Sequence, residues 1–284
     1  MVVVSSSAME DPPNWMEMPD EVMANILQRL GTKEILNNAW KVCTTWRRIC
    51  KDPAMWKVID VQKSDNDVEE HLDLERLTKK AIDLSCGELI DISISGFGND
   101  DLLDYIFLRS GKLKRVSLTY LRGKACWLTR APKRFPQLEE LHISLGFINV
   151  EDIEVIGRNC PQLKSFTVNK VFQWSHNDDH ALAVANYMPE LRLLDLCGSN
   201  MTNDGLEAIL IGCPHLESLD VRMCSNLNLK GNLGKLCTER IKDFMHPNDS
   251  SENCRYLLLS YEFYHELHVF LQEWKSGARS TFRW

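Results

Sequence analysis

His176 and His180 stand four residues apart, a spacing that on a helix would set two imidazoles on one face for a metal ion. The glutamate of an HExxH motif is missing, and Asn177, Asp178 and Asp179 read as a loop or a helix start. His265 and His268 make no better a pair. The ten cysteines are scattered with no CxxC, and Cys43 and Cys50 are seven apart, unlike the ligand spacing of zinc fingers or ribbons. A thiolate beside a distant histidine would be a nucleophile, but nothing in the spacing favours one. The sequence holds no GxSxG, no phosphate-binding loop and no GxGxxG. What remains is "WKVCTTWRRICKDPAMW", Trp40 to Trp56, with three of the eight tryptophans. Tryptophan could stack on bases or pack a core or a protein interface.

Composition narrows the choice. The chain has 284 residues, 44% apolar and 26% charged, ordinary for a protein that buries a core. Its formal net charge of −7 argues against general binding to a phosphate backbone, and no nucleic-acid partner is expected. No apolar run is long enough to span a bilayer, so no membrane partner is expected. The start, "MVVVSSSAMEDPP", lacks the basic region and apolar length of an export signal. The expected location is therefore the nucleus, the cytoplasm or both, with reduced cysteines packed as small hydrophobes. No cofactor and no metal site is expected.

The elements that carry the tryptophans can be read in order. Residues 1–13 read as a disordered leader of small residues ending in Pro12-Pro13. In "MPDEVMANILQRLG", Pro19 suits a first helical position and Asp20 and Glu21 complement the helix dipole. Val22, Ile26, Leu27 and Leu30 are expected along one face, and Gly31 stops the helix. Thr32 is expected to cap the next segment. From Ile35 to Cys50 the apolar positions recur near a 3.6-residue period, as one helix or two, until Asp52-Pro53 breaks it. Such a small unit has more apolar positions than it can bury alone; either the rest of the chain covers them or a second protein does.

Met18-Pro19-x-Glu21-Val22, Ile26-Leu27-x-x-Leu30, Ile35-Leu36, Val42-Cys43-x-x-Trp46-Arg47, Asp52-Pro53 and Trp56 together resemble an F-box over about 45 residues. Met18 stands where leucine is usual and Glu34-Ile35 replaces the commoner Asp-Leu; both keep the chemistry. Asn37-Asn38 is less typical. The resemblance implies a three-helix module over residues 14–60 that docks a Skp-family adaptor, and through it a cullin–RING ubiquitin ligase. It implies docking through Met18, Pro19, Val22, Ile26, Leu27, Leu30 and Ile35, together with Val42, Cys43 and Trp46, while Trp56 closes the module against the next part of the chain.

From Leu89 the chain repeats. The string L-x-x-L-x-L reads "LIDISIS", "LKRVSLT", "LEELHIS", "LKSFTVN", "LRLLDLC" and "LESLDVR", at intervals of about 25 residues, within the leucine-rich-repeat range. Helix patterns lie between, capped at Asn99, at Asn149 with Asp152 three residues on, and at Thr202 or Asn203. No unit buries its apolar face alone; stacked neighbours make one core. This part resembles the cysteine-containing leucine-rich repeats that follow F-boxes, especially in short plant proteins. The expected fold class is α/β: a three-helix F-box, then a leucine-rich-repeat solenoid of about six strand–helix repeats over residues 89–245. Residues 61–88 are expected to form a helix that links the halves and caps the solenoid, and residues 246–284 an irregular, aromatic terminal cap or tail.

Strand alternation names the face open to a partner. It is expected to expose Arg115, Glu140 and His142, then Thr167, Asn169, Leu193, Asp195, Asp220 and Arg222, among short polar neighbours. Together with the resemblance, this gives a non-catalytic substrate-recognition subunit of a Skp–cullin–F-box ubiquitin ligase, whose repeats bind an unknown protein substrate. The alternative is a leucine-rich-repeat scaffold or inhibitor that recruits no ligase.

Overall fold

The computed structural model describes residues 18–63, 71–120, 135–144, 148–169 and 178–250. Helix α1 (Asp20–Gln28) starts after Pro19, which occupies the position before the first helical residue; its carbonyl accepts from the Val22 and Met23 amides. Gly31, at a φ of 81°, lets the chain turn directly into α2. That helix runs from Thr32–Glu34 through a π-helical stretch, Ile35–Ala39, to Trp40–Val42. Thr32 is thus inside the helix, with Gly31 in the capping place.

The chain then breaks at Cys43, which is extended (φ −155°, ψ 173°). Its sulfur accepts from the Trp46 amide at 3.4 Å and so caps α3 (Thr44–Ile49). The periodic run from Ile35 to Cys50 is therefore two helices. Asp52 caps a 3-10 turn (Pro53–Trp56) through the Ala54 amide, 2.9 Å away, with Pro53 where no amide is needed. Trp56 is buried, its indole N–H donating to the Cys50 carbonyl at 2.8 Å. Arg48 clasps Asp20 through two hydrogen bonds of 2.6 and 2.8 Å, fastening α3 to α1.

Beyond the module the described residues form one parallel sheet, with eight strands in sequence order: β1 (Val58–Gln62), β2 (Asp91–Ser95), β3 (Arg115–Thr119), β4 (Glu140–Ser144), β5 (Ser165–Asn169), β6 (Leu193–Asp195), β7 (Ser218–Asp220) and β8 (Asp243–Met245). Register is uniform, so Ile59, Ile92, Val116, Leu141, Phe166, Leu194, Leu219 and Phe244 form one lateral ladder. Ile94, Leu118, Ile143 and Val168 form a second.

Helices pack on that side: α4 (His71–Leu84), α5 (Asp100–Arg109), α6 (Val150–Asn159), α7 (Asp179–Tyr187), α8 (Asn203–Gly212) and α9 (Asn232–Arg240). Asn99, Asn149 and Thr202 stand at their expected capping places. Asn99 accepts from the Leu102 amide at 3.0 Å, and the Asp152 carboxylate accepts from the Asn149 amide at 2.9 Å. Cys160 and Cys213 come directly after the last residues of α6 and α8 and are buried.

Two expectations need correction. The repeat pattern starts earlier than Leu89, because Val58–Gln62 is already a strand of the sheet, and it continues through β8. Helix α4 is therefore the helix of the first repeat and lies beside α5, not across the open edge. That edge is covered by α2: the Asp60 amide donates to the Thr32 hydroxyl at 3.3 Å, and Lys33 Nζ donates to the Gln62 carbonyl at 3.2 Å. The physical reason is that an edge strand leaves unpaired backbone groups, and the N-terminal module is the nearest element able to satisfy them. The stretch around "QWSHNDDH" before Asp178 and the aromatic stretch beyond Ser250 lie outside the described residues.

Candidate docking surfaces

Helix α1 of the N-terminal module carries two apolar stripes that face different directions. On α1, Met23 and Leu27 lie four residues apart and are buried against α2 and α3. About 100° round the helix, Val22 (44% exposed) and the half-buried Ile26 lead to Leu30 (44%) in the adjoining turn. Val42, at the end of α2, is 60% exposed. Met18, Cys43 and Trp46 are half-buried, and Pro19 is exposed.

Leu27 and Ile35 therefore do not present themselves for docking, contrary to the sequence reading. Both are buried in the module's own core, Leu27 because it pairs with Met23 and Ile35 because the π-helical stretch packs it with Leu36 and Ala39. The pattern Val22, Ile26, Leu27 and Leu30 omits Met23; including it divides these apolar residues into an inner and an outer set. It also missed Trp40, which is half-buried beneath the Lys80 ammonium, 4.7 Å from the ring centroid, and so joins α2 to α4. Its place within the tryptophan-rich stretch was the available signal.

On the sheet's open side, the outward residues form three columns. The first holds Val58, Asp91, Arg115, Glu140, Ser165, Leu193, Ser218 and Asp243; the second holds Asp60, Ser93, Ser117, His142, Thr167, Asp195, Asp220 and Met245. Gln62, Ser95, Thr119, Ser144 and Asn169 begin the third. Arg115 is exposed and pairs with Asp91 at 2.8 Å. Glu140 lies 3.7 Å from His142, whose Nδ1 meets the Thr167 hydroxyl at 2.8 Å. Leu193 is exposed and Asp195 half-buried.

Thr167, Asn169, Asp220 and Arg222, expected on an exposed face, are instead buried. Strands about 4.8 Å apart stack their side chains laterally, so small residues sink beneath larger neighbours. Thr167 lies against His142. Asn169 donates its amide to Asp195 Oδ2 at 3.2 Å. Arg222 folds back on Asp220 through several hydrogen bonds, the shortest 2.5 Å, and Nη1 reaches the Ser250 carbonyl at 3.1 Å.

Of the eight described cysteines, six are buried packing residues: Cys50, Cys160, Cys197, Cys213, Cys224 and Cys237. Burial pushes the Cys160 and Cys224 thiols up to about 12 and those of Cys213 and Cys237 up to about 11. Cys86 is exposed. Among the described residues no three His, Cys, Asp or Glu side chains gather in a way that could hold a metal ion, and no helix is long and apolar enough to cross a membrane. His180 sits at the start of α7 with Nε2 3.1 Å from the Ile148 carbonyl, a structural contact between repeats. His176, His265 and His268 lie outside the described residues.

Residues 15–58 match the model of the F-box domain, and residues 165–237 match that described as "FBD-associated F-box protein At5g56370, LRR repeats". The chain is 45% identical to the F-box protein SKIP19 of Arabidopsis thaliana over 249 residues, covering 86% of this chain and 81% of that one. The chain belongs to the F-box/leucine-rich-repeat family. Another relative of this F-box/leucine-rich-repeat protein is the Arabidopsis putative F-box/LRR-repeat protein 22, 41% identical over 88% of this chain and 82% of the relative. The Arabidopsis putative F-box/LRR-repeat protein 23 is 43% identical over 88% of this chain, which spans only 59% of that longer protein.

Proposed function

We propose that this protein is the substrate-recognition subunit of a Skp–cullin–F-box ubiquitin ligase, acting in the nucleus, the cytoplasm or both. The observation that carries the reading is the outer stripe of the N-terminal module. Val22 and Leu30, with the half-buried Ile26, and Val42 at the end of α2 keep apolar surface open while Thr32 and Trp40 of the module are engaged by β1 and α4. A Skp-family adaptor docks on that stripe and on Pro19, and brings the cullin–RING ligase with it. The repeats hold the protein to be ubiquitinated. The subunit does no bond chemistry itself: it holds the target beside a ubiquitin-charged enzyme, so that a bimolecular encounter becomes nearly intramolecular.

Co-expression with a Skp-family adaptor followed by affinity capture tests this. The wild-type chain should retain the adaptor. Val22→Ala with Ile26→Ala removes apolar contact worth about 2–3 kcal/mol, a loss of roughly 30- to 150-fold in affinity, with the fold intact by circular dichroism. Full-strength capture by this double variant removes the proposed interface. No capture by the wild-type chain favours the scaffold or inhibitor, which recruits no ligase.

A further inference from the structure

The open side of the sheet carries an uneven charge. Its columns bring Asp60, Asp91, Glu140, Asp195, Asp220 and Asp243 to one face, and against these six carboxylates stand two guanidiniums, Arg115 and Arg222. Both guanidiniums are already committed, Arg115 to Asp91 and Arg222 to Asp220. No lysine or arginine forms an ion pair with Asp60, Glu140, Asp195 or Asp243 among the described residues. Among the described residues the Asp60 carboxylate accepts from the neighbouring Gln62 amide alone, at 3.2 Å.

A second observation points to what is missing. Asn169 is 1% exposed, and its side-chain oxygen has no hydrogen-bond partner among the described residues. The amide of that side chain is held against Asp195 by its N–H, which places the empty acceptor inside the acidic cluster. A buried acceptor without a donor costs about 1–3 kcal/mol, and the neighbouring Asp195 carboxylate, though it accepts from the Asn169 and Cys197 amides, has no ion-pair partner among the described residues. Burial pushes the Asp195 carboxyl above its ordinary range and Asp220 adds to it, against smaller opposing contributions from the Cys197 amide, the Asn169 side chain and the Arg222 charge. A group that brings N–H donors and positive charge to this spot relieves both. A phosphate brings neither.

We infer that this face takes a lysine- or arginine-rich, unphosphorylated segment of the recruited protein, with a basic side chain seated at Asp195 and Asn169. The inference rests on the substrate-receptor reading, whose substrate class it names. Eight strands about 4.8 Å apart give a strip of roughly 34 Å, the length of about ten residues of extended chain. Hydroxyls of Ser93 and Ser117, both half-buried, line the strip between the carboxylates and add small, adaptable partners. Phosphorylation of the guest places anion against anion and weakens the complex.

Fluorescence anisotropy of the purified full chain tests it, with labelled peptides of about twelve residues alternating lysine with serine, glutamate with serine, and lysine with phosphoserine. The lysine–serine peptide should bind at least tenfold more tightly than the other two and weaken as salt rises from about 50 to about 200 mM. Asp195→Asn keeps an acceptor for the Cys197 amide and should raise the Kd roughly three- to tenfold; adding Glu140→Gln and Asp243→Asn should raise it beyond thirtyfold. Glu207→Gln, exposed on α8 across the sheet, should leave it unchanged. Equal binding of the lysine and glutamate peptides overturns the inference, and so does a triple variant, folded by its thermal melt, that binds like wild type. Adaptor capture reads the ligase role separately: a chain that prefers the basic peptide and captures no adaptor keeps the face and loses the ligase, and the triple variant should capture adaptor normally.

Discussion

Gly212 ends α8 where that helix crosses the backbone of α7, and replacing it with alanine should measurably weaken the solenoid. A methyl group built there would lie 2.2 Å from the Ala185 carbonyl oxygen and 2.7 Å from both the carbonyl carbon and Cα of that residue. Ordinary contact begins near 3.4 Å, so the closest approach is short by ~1.2 Å. The obstructing atoms are main chain and cannot rotate aside. The two helices must separate, loosening Val184 of α7 against Leu206 and Ile209 of α8, all of them buried. Overpacking of this kind costs about 1–3 kcal/mol, and the rigid obstacle places it near the upper end. Alanine regains at most about 1 kcal/mol of helix propensity, less at a terminal position. The net effect is a loss of about 2 kcal/mol, or roughly 4–8 °C in melting temperature for a domain of this size. Gly111 is the control: nothing lies within 4 Å of its added methyl group and its φ is not positive, so Gly111→Ala should be neutral or stabilise by about 0.4–1 kcal/mol. Thermal and guanidinium melts of both variants decide the matter. A Gly212→Ala protein as stable as wild type would show that helix packing in this solenoid yields more readily than the geometry implies.

Buried groups give two further outcomes. Arg222→Leu leaves the Asp220 carboxylate buried without its guanidinium and should cost about 3–5 kcal/mol; adding Asp220→Asn should recover most of that in the same urea titration, and a lack of recovery would show that the pair does not act as a unit. Alkylation with iodoacetamide at about pH 8, mapped by mass spectrometry, should label Cys86 quickly and spare Cys160, Cys213, Cys224 and Cys237, whose thiols stay protonated up to about 11 or 12. Because the unfolded thiols ionise near 9.0, the unfolded chain releases protons first, and stability should fall as pH rises from about 9 toward 12. Fast labelling of the four spared thiols in a protein still folded at pH 8 would refute the burial argument.

The sequence by itself determined six of the strands, most of the helices and their order, but not β1 or β8. Six strings of L-x-x-L-x-L at near-constant spacing specify parallel strands in uniform register, because any slip would turn every leucine to the wrong side. Asn99, Asn149 and Thr202 were legible as helix starts because capping is local chemistry, settled within three residues of chain. The N-terminal signature was legible for the same reason: its prolines, acids and apolar positions act at short range. Tertiary structure decided which apolar residues remain outside. Val22, Ile26 and Leu27 look alike in a helical pattern, and only the arrival of α2 and α3 sends Leu27 inward with Met23, leaving Val22 exposed and Ile26 half-buried. It also decided how deep the polar columns lie. Thr167 and Asn169 alternate outward as strand geometry requires, yet His142 and Asp195, about 25 residues away in the chain, come to lie against them. Burial is a property of neighbours brought together by folding, and periodicity fixes the direction of a side chain without fixing what will stand over it.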